Sequence, residues 1–211
     1  MTARLRGLPP GRAGRLWLTR RLAVATRGGD LLENKLRILL AEQQEFTLKE
    51  ERTRAEWEAS VTDLERWMLQ SALLSGERGM RLASDGTDAA VDIAWRLTMG
   101  VRYPAEAITE IPPPRPPAFA PDNTALRHAS RAAERAVTAG VDHAVATTAL
   151  TAVEREISST RRQLRAIRER WIPRLQSGLA GLVRALDDQE HDEHVRLRWA
   201  ADPSRTGRTR P

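Results

Sequence analysis

The chain has 211 residues and a formal net charge of +6, and 29% of its residues are charged while only 4% are aromatic. It contains no cysteine, which excludes disulfide bonds and cysteine-ligated zinc, and no apolar run of about 18 residues that would predict a membrane-spanning helix. The apolar residues are arranged in stripes, so we expect long paired helices instead of a globular core.

The first predicted element is a long shaft helix over residues 14–75, which follows a flexible basic segment at residues 1–13. Steps of alternately four and three residues from Leu18 to Leu74 reach mostly apolar side chains, with charged residues between them. This heptad spacing is typical of a helix that packs on a partner helix along a narrow stripe. Its core residues are Leu18, Leu22, Leu32, Leu36 and Leu39. Glycine suits a helix C-terminus, so we expect the helix to end near Gly76.

Two adjacent glycines, Gly28 and Gly29, lie inside this predicted helix, where each costs about 1 kcal/mol relative to alanine. Gly29 falls on the apolar stripe. One interpretation is that it lets two helix backbones approach closely. The other is that it marks a site of local bending or twisting.

The central region, residues 76–121, changes from a helical to an alternating pattern. Every second residue from 91 to 97 is apolar, which predicts a half-buried strand. A turn and a second short alternation up to Pro104 complete a small β-hairpin over residues 90–104. An isolated hairpin is only marginally stable in water, so we expect it to dock on the helices or on a partner.

A proline-rich segment follows the hairpin, with six prolines between residues 111 and 121. Prolines at this density exclude a helix and favour an extended spacer. A linker is the favoured interpretation, and a proline-recognition motif is the alternative.

A second long shaft helix is predicted over residues 122–200, followed by a disordered basic tail over residues 201–211. Either Asp122 or Asn123 can cap its start. Its core residues are Leu164, Ile167, Trp171, Leu175, Leu179 and Leu182. The apolar stripe slips near Pro173, so we expect a modest kink and a local loss of supercoiling there.

Together these elements predict a mainly α fold. It is a long antiparallel two-helix coiled coil formed by the N- and C-terminal helices, with a small central β-hairpin and a Pro-rich connector. Antiparallel pairing brings the basic ends of both helices to the same place, a distribution that favours an anionic partner. The arginines of these basic ends include Arg12, Arg15, Arg20, Arg21, Arg184, Arg196 and Arg198.

Motifs for catalysis or nucleotide binding are missing from the sequence. It has no GxxxxGK[ST] phosphate loop, no GxGxxG and no GxSxG, so we expect no catalytic, cofactor-binding or metal site. His191 and His194 could present two metal ligands on one helix face, but the acidic residues around them favour a solvated patch. Tryptophans on the stripes, such as Trp57, favour helix packing over stacking on nucleic acid.

Three segments, taken in order, resemble a known family. They are RRLAVATRGGDLLENKLR at residues 20–37, MGVRYP at residues 99–104, and TRRQLR with WIPRL within residues 159–199. The combination resembles the D-type subunit, the central rotor shaft of V-type and A-type ATPases and ATP synthases, in a bacterial form. The chain departs from the family pattern in its low lysine content, its proline-rich spacer and its diverged middle.

The resemblance implies a non-catalytic subunit that couples proton or sodium-ion flow to ATP synthesis or hydrolysis by rotating inside a catalytic head. Its implied partners are the A- and B-type head subunits, the small F-type stalk subunit and a funnel-shaped adaptor on the membrane ring. No cofactor, direct nucleotide or nucleic acid is expected, and the implied location is cytoplasmic, peripheral to the cell membrane as part of the complex. The arginines of the basic ends named above are the expected contacts with the head. The expected contacts with stalk partners are Val91, Ile93, Trp95, Val101 and Tyr103.

Two other classes of function stay open at this point. A coiled-coil adaptor or scaffold predicts a stable homodimer, and a nucleic-acid-binding coiled coil predicts binding with a steep salt dependence.

Overall fold

The computed structural model describes residues 9–83, 88–112 and 123–201. Its elements, in order, are helix α1 (Gly11–Ala83), strands β1 (Ala90–Thr98) and β2 (Val101–Glu110), helix α2 (Thr124–Arg165), a π-helical turn (Ala166–Trp171) and helix α3 (Ile172–Ala201). They belong to two compact units. The terminal unit comprises the described parts of Met1–Asn34 and Thr160–Pro211, and the central unit is formed by the described parts of Lys35–Ser159.

In the terminal unit, the start of α1 packs antiparallel to the C-terminal helix. Arg12 contacts Glu190 and Asp30 contacts Arg168, so residues further along α1 contact residues that come earlier in the C-terminal helix. The chain before α1 also packs against it. A Cβ on Gly14 would lie 2.1 Å from the carbonyl oxygen of Pro9, so this close backbone approach requires glycine.

In the central unit, α1 and α2 are antiparallel as well. Lys35 binds Glu156 near one end, and Asn123 donates a hydrogen bond to Ser75 near the other. Small side chains on α2 let the helices approach closely: Ala125, Ala129, Ala132, Ala136, Ala146 and Ala149 are all buried. Asn123 caps α2, because its Oδ1 accepts a hydrogen bond of 2.8 Å from the backbone N–H of Leu126.

The two strands form an antiparallel hairpin that packs on the helices of the central unit. Thr98 pairs with Val101, and a bulge between Ala94 and Trp95 shifts the register. Tyr103, which is 3% exposed, packs edge-on against Phe46 of α1 at a ring-centroid distance of 5.0 Å. The hairpin prediction is therefore confirmed as to its existence and docking. The second strand extends past Pro104 to Glu110, because that proline lies at the bulge, where a ladder hydrogen bond is not needed.

The first helix ends later in the chain than the sequence predicts. Gly76 leaves the helical conformation, with φ 65° and ψ 172°, but α1 resumes after it and continues to Ala83. Glycine at this position therefore makes a kink and does not end the helix. The predicted proline-rich connector at 113–121, the first eight residues and the predicted tail beyond Ala201 lie outside the described residues.

The predicted disturbance near Pro173 takes the form of a π turn just before it. The N–H of Ile172 bonds to the carbonyl of Ile167, five residues back, where an α-helix would use four. Proline has no N–H, and its ring collides with the carbonyl four residues earlier in a regular helix. A wider turn relieves that collision and also fits apolar residues spaced four apart. The mainly helical fold with a central hairpin is thus confirmed.

Candidate functional site

The predicted core of the terminal unit is an apolar seam between α1 and the C-terminal helix. Leu18 and Leu175 are both 0% exposed, and Ala25 is buried beside them. The half-buried side chains packed against this cluster are Trp17, Leu22, Trp171, Ile172, Leu179 and Leu182. The other predicted core residues of this unit are half-buried as well: Leu32, Leu164 and Ile167. Each fully buried leucine stabilises the pairing by roughly 1.5–3 kcal/mol, so the seam holds the two ends of the chain together.

The central unit has a seam of its own, which includes the hairpin. Leu39 and Val153 are 0% exposed, and they pack with Ala149 and Ile157. Leu36 lies half-buried against the same cluster. The heptad pattern predicts both leucines as core, but it does not predict that strand β2 shares their cluster.

A polar group interrupts this second seam. Glu50 is 6% exposed, accepts a hydrogen bond from Arg54, and lies with its Oε1 4.0 Å from Nδ1 of His143 on α2. The ring of His143 stacks on Trp57 with centroids 5.3 Å apart, and Trp57 in turn covers Gly140. A buried carboxylate is costly unless it is paired, and the guanidinium of Arg54 supplies that pairing for Glu50. From the sequence alone, His143 is indistinguishable from a surface residue.

The π turn presents Arg168 to the first helix. Its Nη2 donates to Asp30 Oδ1 at 2.8 Å and contacts Glu33 Oε1 at 2.9 Å. The guanidinium crosses Gly29, where an added Cβ would lie 3.1 Å from Nε. The backbone of α1 is regular at this glycine, so Gly29 gives room to an arginine side chain. Neither close approach of two backbones nor local bending accounts for it.

The predicted basic contacts lie on the surface of the terminal unit. Arg12 donates a hydrogen bond of 3.1 Å to Glu190. Arg21 is placed over two indole rings, 4.9 Å from the centroid of Trp17 and 5.6 Å from that of Trp171. The remaining ones are all exposed: Arg15, Arg20, Arg184, Arg196 and Arg198. Arg20 and Arg21 also border an open apolar groove along α1, which Leu16 and Val24 line.

The hairpin residues expected to meet a stalk partner fall into two groups. Val101 is 8% exposed and Tyr103 is 3% exposed, so both are part of the chain's own core. They cannot contact a partner unless the hairpin separates from the helices. That expectation is corrected for these two residues: they alternate inward, towards Leu39 and Phe46. Val91, Ile93 and Trp95 are 42–51% exposed and remain available.

One polar contact fixes the hairpin on α1, and another joins its two strands. Lys49 donates to the carbonyl of Ala105 at 3.3 Å, and Thr98 Oγ1 lies 3.0 Å from the hydroxyl of Tyr103. Glu42, which no sequence pattern singles out, has a buried Oε2 without a hydrogen-bond partner among the described residues. Burial raises the pKa of Glu42 above its ordinary value of 4.5, the charge of Glu45 raises it further, and Arg96 of β1 lowers it.

The described residues contain no group of three or more histidine, aspartate or glutamate side chains that could hold a metal ion. His194 of the acidic patch has its Nδ1 2.9 Å from the carbonyl of Glu190 on its own helix. Within the described parts of the chain, no helix has both the length and the apolar composition needed to cross a membrane.

The geometry thus consists of two antiparallel helical seams, an exposed basic surface and a docked hairpin. The family model described as the D subunit of ATP synthase matches residues 16–202. The chain is also similar to the D subunit of the A-type ATP synthase of Methanopyrus kandleri, with 29% identity over 202 residues that cover 94% of this chain and 87% of that protein. A match along nearly the whole of both helices and the hairpin places the chain in the family of ATP synthase D subunits.

Proposed function

We propose that this chain is the rotating shaft that couples ion flow across the membrane to ATP synthesis or hydrolysis. As a member of its family, it is a central stalk subunit of an A/V-type ATP synthase and a non-catalytic part of that complex. This membership does not favour the coiled-coil adaptor or the nucleic-acid-binding alternative.

The observation that carries the proposal is the pairing of the chain's own ends. A shaft that transmits torque needs its helices joined along their length, and α1 contributes to an apolar seam in both units. Cross-helix ion pairs such as Lys35–Glu156 at 2.5 Å and Arg168–Asp30 at 2.8 Å resist sliding of one helix past the other. A homodimeric coiled coil would not need either end to pair within the chain.

We assign the partners by the surfaces that the chain exposes. The exposed arginines of the terminal unit suit the inner wall of a head formed by A- and B-type subunits. Charge contacts at an exposed surface are individually weak, each worth about 0–1 kcal/mol, so a basic surface can slip past successive acidic groups as it turns. The F-type stalk subunit and the funnel-shaped adaptor would bind the central unit, and the whole chain would lie on the cytoplasmic side, peripheral to the membrane.

The first test of this function is purification of the tagged full-length chain in mild detergent, with the stoichiometry of what co-purifies. We expect a single copy of the chain per complex, together with several copies of the nucleotide-binding subunits and with the F-type subunit. Recovery of a homodimer alone, or of nucleic acid that is lost at high salt, would contradict the proposal.

A second test addresses the basic surface. Reversing the charge at Arg15 and Arg20 should reduce ATP turnover coupled to ion transport, because both side chains are exposed and would face the head. Reversal at Arg155, an equally exposed arginine of the central unit, is the matched control. Unchanged coupling in the Arg15/Arg20 variant would exclude these arginines as head contacts.

A further inference from the structure

The terminal unit carries an apolar groove along α1, beside its seam with the C-terminal helix, and no described residue fills it. Leu16 and Val24 line the groove with exposed fractions of 53% and 71%, and Trp17 and Trp171 line it as well. Its surface is almost entirely apolar, although arginines such as Arg20 border it. Contiguous exposed apolar surface of this kind marks an interaction site, and it favours an occupant with apolar side chains.

The chain enters α1 at the edge of this groove. Pro9 is one of the lining residues, and its carbonyl oxygen lies so close to Gly14 that no side chain fits there. Gly11, with φ 68°, turns the chain between Pro9 and the helix. A residue that precedes a helix and packs against its first turns fixes the angle at which the chain arrives. The N-terminal segment, defined as residues 1–8, is therefore joined to the groove at Pro9.

The sequence of the N-terminal segment suits an apolar groove with a basic border. In an extended chain alternate side chains lie on opposite faces. One face of the segment would then carry Met1, Ala3 and Leu5, and the other would carry Arg4 and Arg6. With its apolar face in the groove, the segment would hold both of its arginines towards solvent, away from the arginines of the border.

The reach of the segment also fits the groove. An extended chain spans at most about 3.3–3.6 Å per residue, so Ala3 can lie up to about 20 Å from Pro9. From Gly14, which Pro9 contacts, to Val24, α1 rises by about 15 Å. Ala3 can therefore reach the level of Val24, and Leu5 can reach the middle of the groove.

We propose that the N-terminal segment folds back along α1 and fills this groove, with Leu5 as its main apolar contact. Because the segment is joined to the edge of the groove, its effective concentration there is high, and a few apolar contacts are enough to hold it. A segment of another molecule lacks this tether, so the same contacts would hold it far more weakly. The contact lies within the chain and goes beyond the proposed function: it shields apolar surface that would favour association of the free subunit.

The test is disulfide trapping in the free full-length chain, which contains no cysteine, so that only an introduced pair reacts. With oxidised glutathione, the Ala3→Cys/Val24→Cys chain should close its disulfide at least about tenfold faster than the Ala3→Cys/Thr26→Cys chain. Thr26 is the matched control because it is exposed like Val24 and lies only about 3 Å further along α1, but about 200° around it. A segment that moves freely in solvent would reach both positions alike.

A second pair of variants tests what holds the segment in place. In the Ala3→Cys/Val24→Cys chain, Leu5→Ser should slow disulfide closure by about tenfold, because it removes the main apolar contact. Arg6→Ser, which alters the other face of the segment, should leave the rate unchanged. Equal rates for the Val24 and Thr26 pairs, a rate that does not respond to Leu5→Ser, or a disulfide that links two copies of the chain would each overturn the proposal. None of these results bears on the rotary function, which the co-purification tests separately.

Discussion

Replacing Gly28 and Gly29 with alanine, one at a time, separates the backbone cost of glycine from local packing. Alanine is favoured over glycine in a helix interior by about 1 kcal/mol. At Gly28 an added Cβ meets nothing within 4 Å, so we expect Gly28→Ala to gain about this amount in the free energy of unfolding. At Gly29 the same atom would lie 3.1 Å from Nε and 3.6 Å from Cζ of Arg168.

The cost at Gly29 follows from what holds Arg168 in place. To admit the methyl group, its guanidinium must shift while it binds Asp30 at 2.8 Å and Glu33 at 2.9 Å. These side chains are 38–57% exposed, so each ion pair is worth at most about 1 kcal/mol. Weakening one of them cancels the gain in helix propensity. We therefore expect Gly29→Ala to be neutral or slightly destabilising, about 1 kcal/mol below Gly28→Ala.

Urea unfolding of the full-length chains, followed by circular dichroism, measures this difference. A change of about 1 kcal/mol also shifts the melting temperature of a chain of this size by roughly 2–4 °C. Arg168→Ala provides the control background, in which both glycine replacements should stabilise equally. If Gly29→Ala stabilises the native chain as much as Gly28→Ala does, the reasoning about Arg168 is wrong.

Three further predictions concern the central unit. Leu39→Ala should lower the free energy of unfolding by about 2–5 kcal/mol, because Leu39 is 0% exposed. Leu48→Ala, at a 67% exposed site, should change it by less than about 0.5 kcal/mol. Similar losses in the two variants would refute the assigned core. Glu42→Gln should raise the free energy of unfolding at neutral pH and leave it unchanged well below pH 4.5. Because the pKa of Glu42 is raised in the folded state, its charged form destabilises the fold, and stability is lost as the pH rises through that pKa. An equal effect at both pH values, measured by urea unfolding, would exclude this titration. A double-mutant cycle on Lys35 and Glu156, whose side chains are 25% and 32% exposed, should give a coupling of about 1 kcal/mol that falls with added salt, and no coupling at low salt would contradict the ion pair.

The helices can be predicted from sequence because the heptad spacing of their apolar residues repeats many times. Spacing alone assigns Leu18, Leu39 and Leu175 to the core, and all are 0% exposed. A heptad pattern specifies which side of a helix is apolar, and pairing within the chain is the simplest way to cover it. Asn123 is likewise a possible cap by its residue type and place, and it caps α2.

The hairpin shows where this reasoning stops. Alternation reveals that the odd residues of β1 share a face, but it does not say whether that face meets the core or a partner. The core is instead supplied by Val101 and Tyr103 of β2, whose face is fixed by the way the hairpin packs on α1. Contacts such as Glu50 with His143 and Gly29 with Arg168 escape sequence reasoning because they depend on the relative register of the two helices.

The π turn at Ala166–Trp171 has a consequence for changes in chain length. Such a turn holds one residue more than a regular turn, so removing that residue restores an α-helix and leaves the helix that follows facing the same way. In the regular part of α1, the loss of one residue rotates all later side chains by about 100° and turns the apolar stripe away from its partner. A single deletion in the segment before Pro173 therefore keeps Leu175 on the seam, provided that Pro173 is replaced as well, because its ring would collide with the restored α-helix. Insertions or deletions elsewhere in the paired helices rotate the stripe away from its partner.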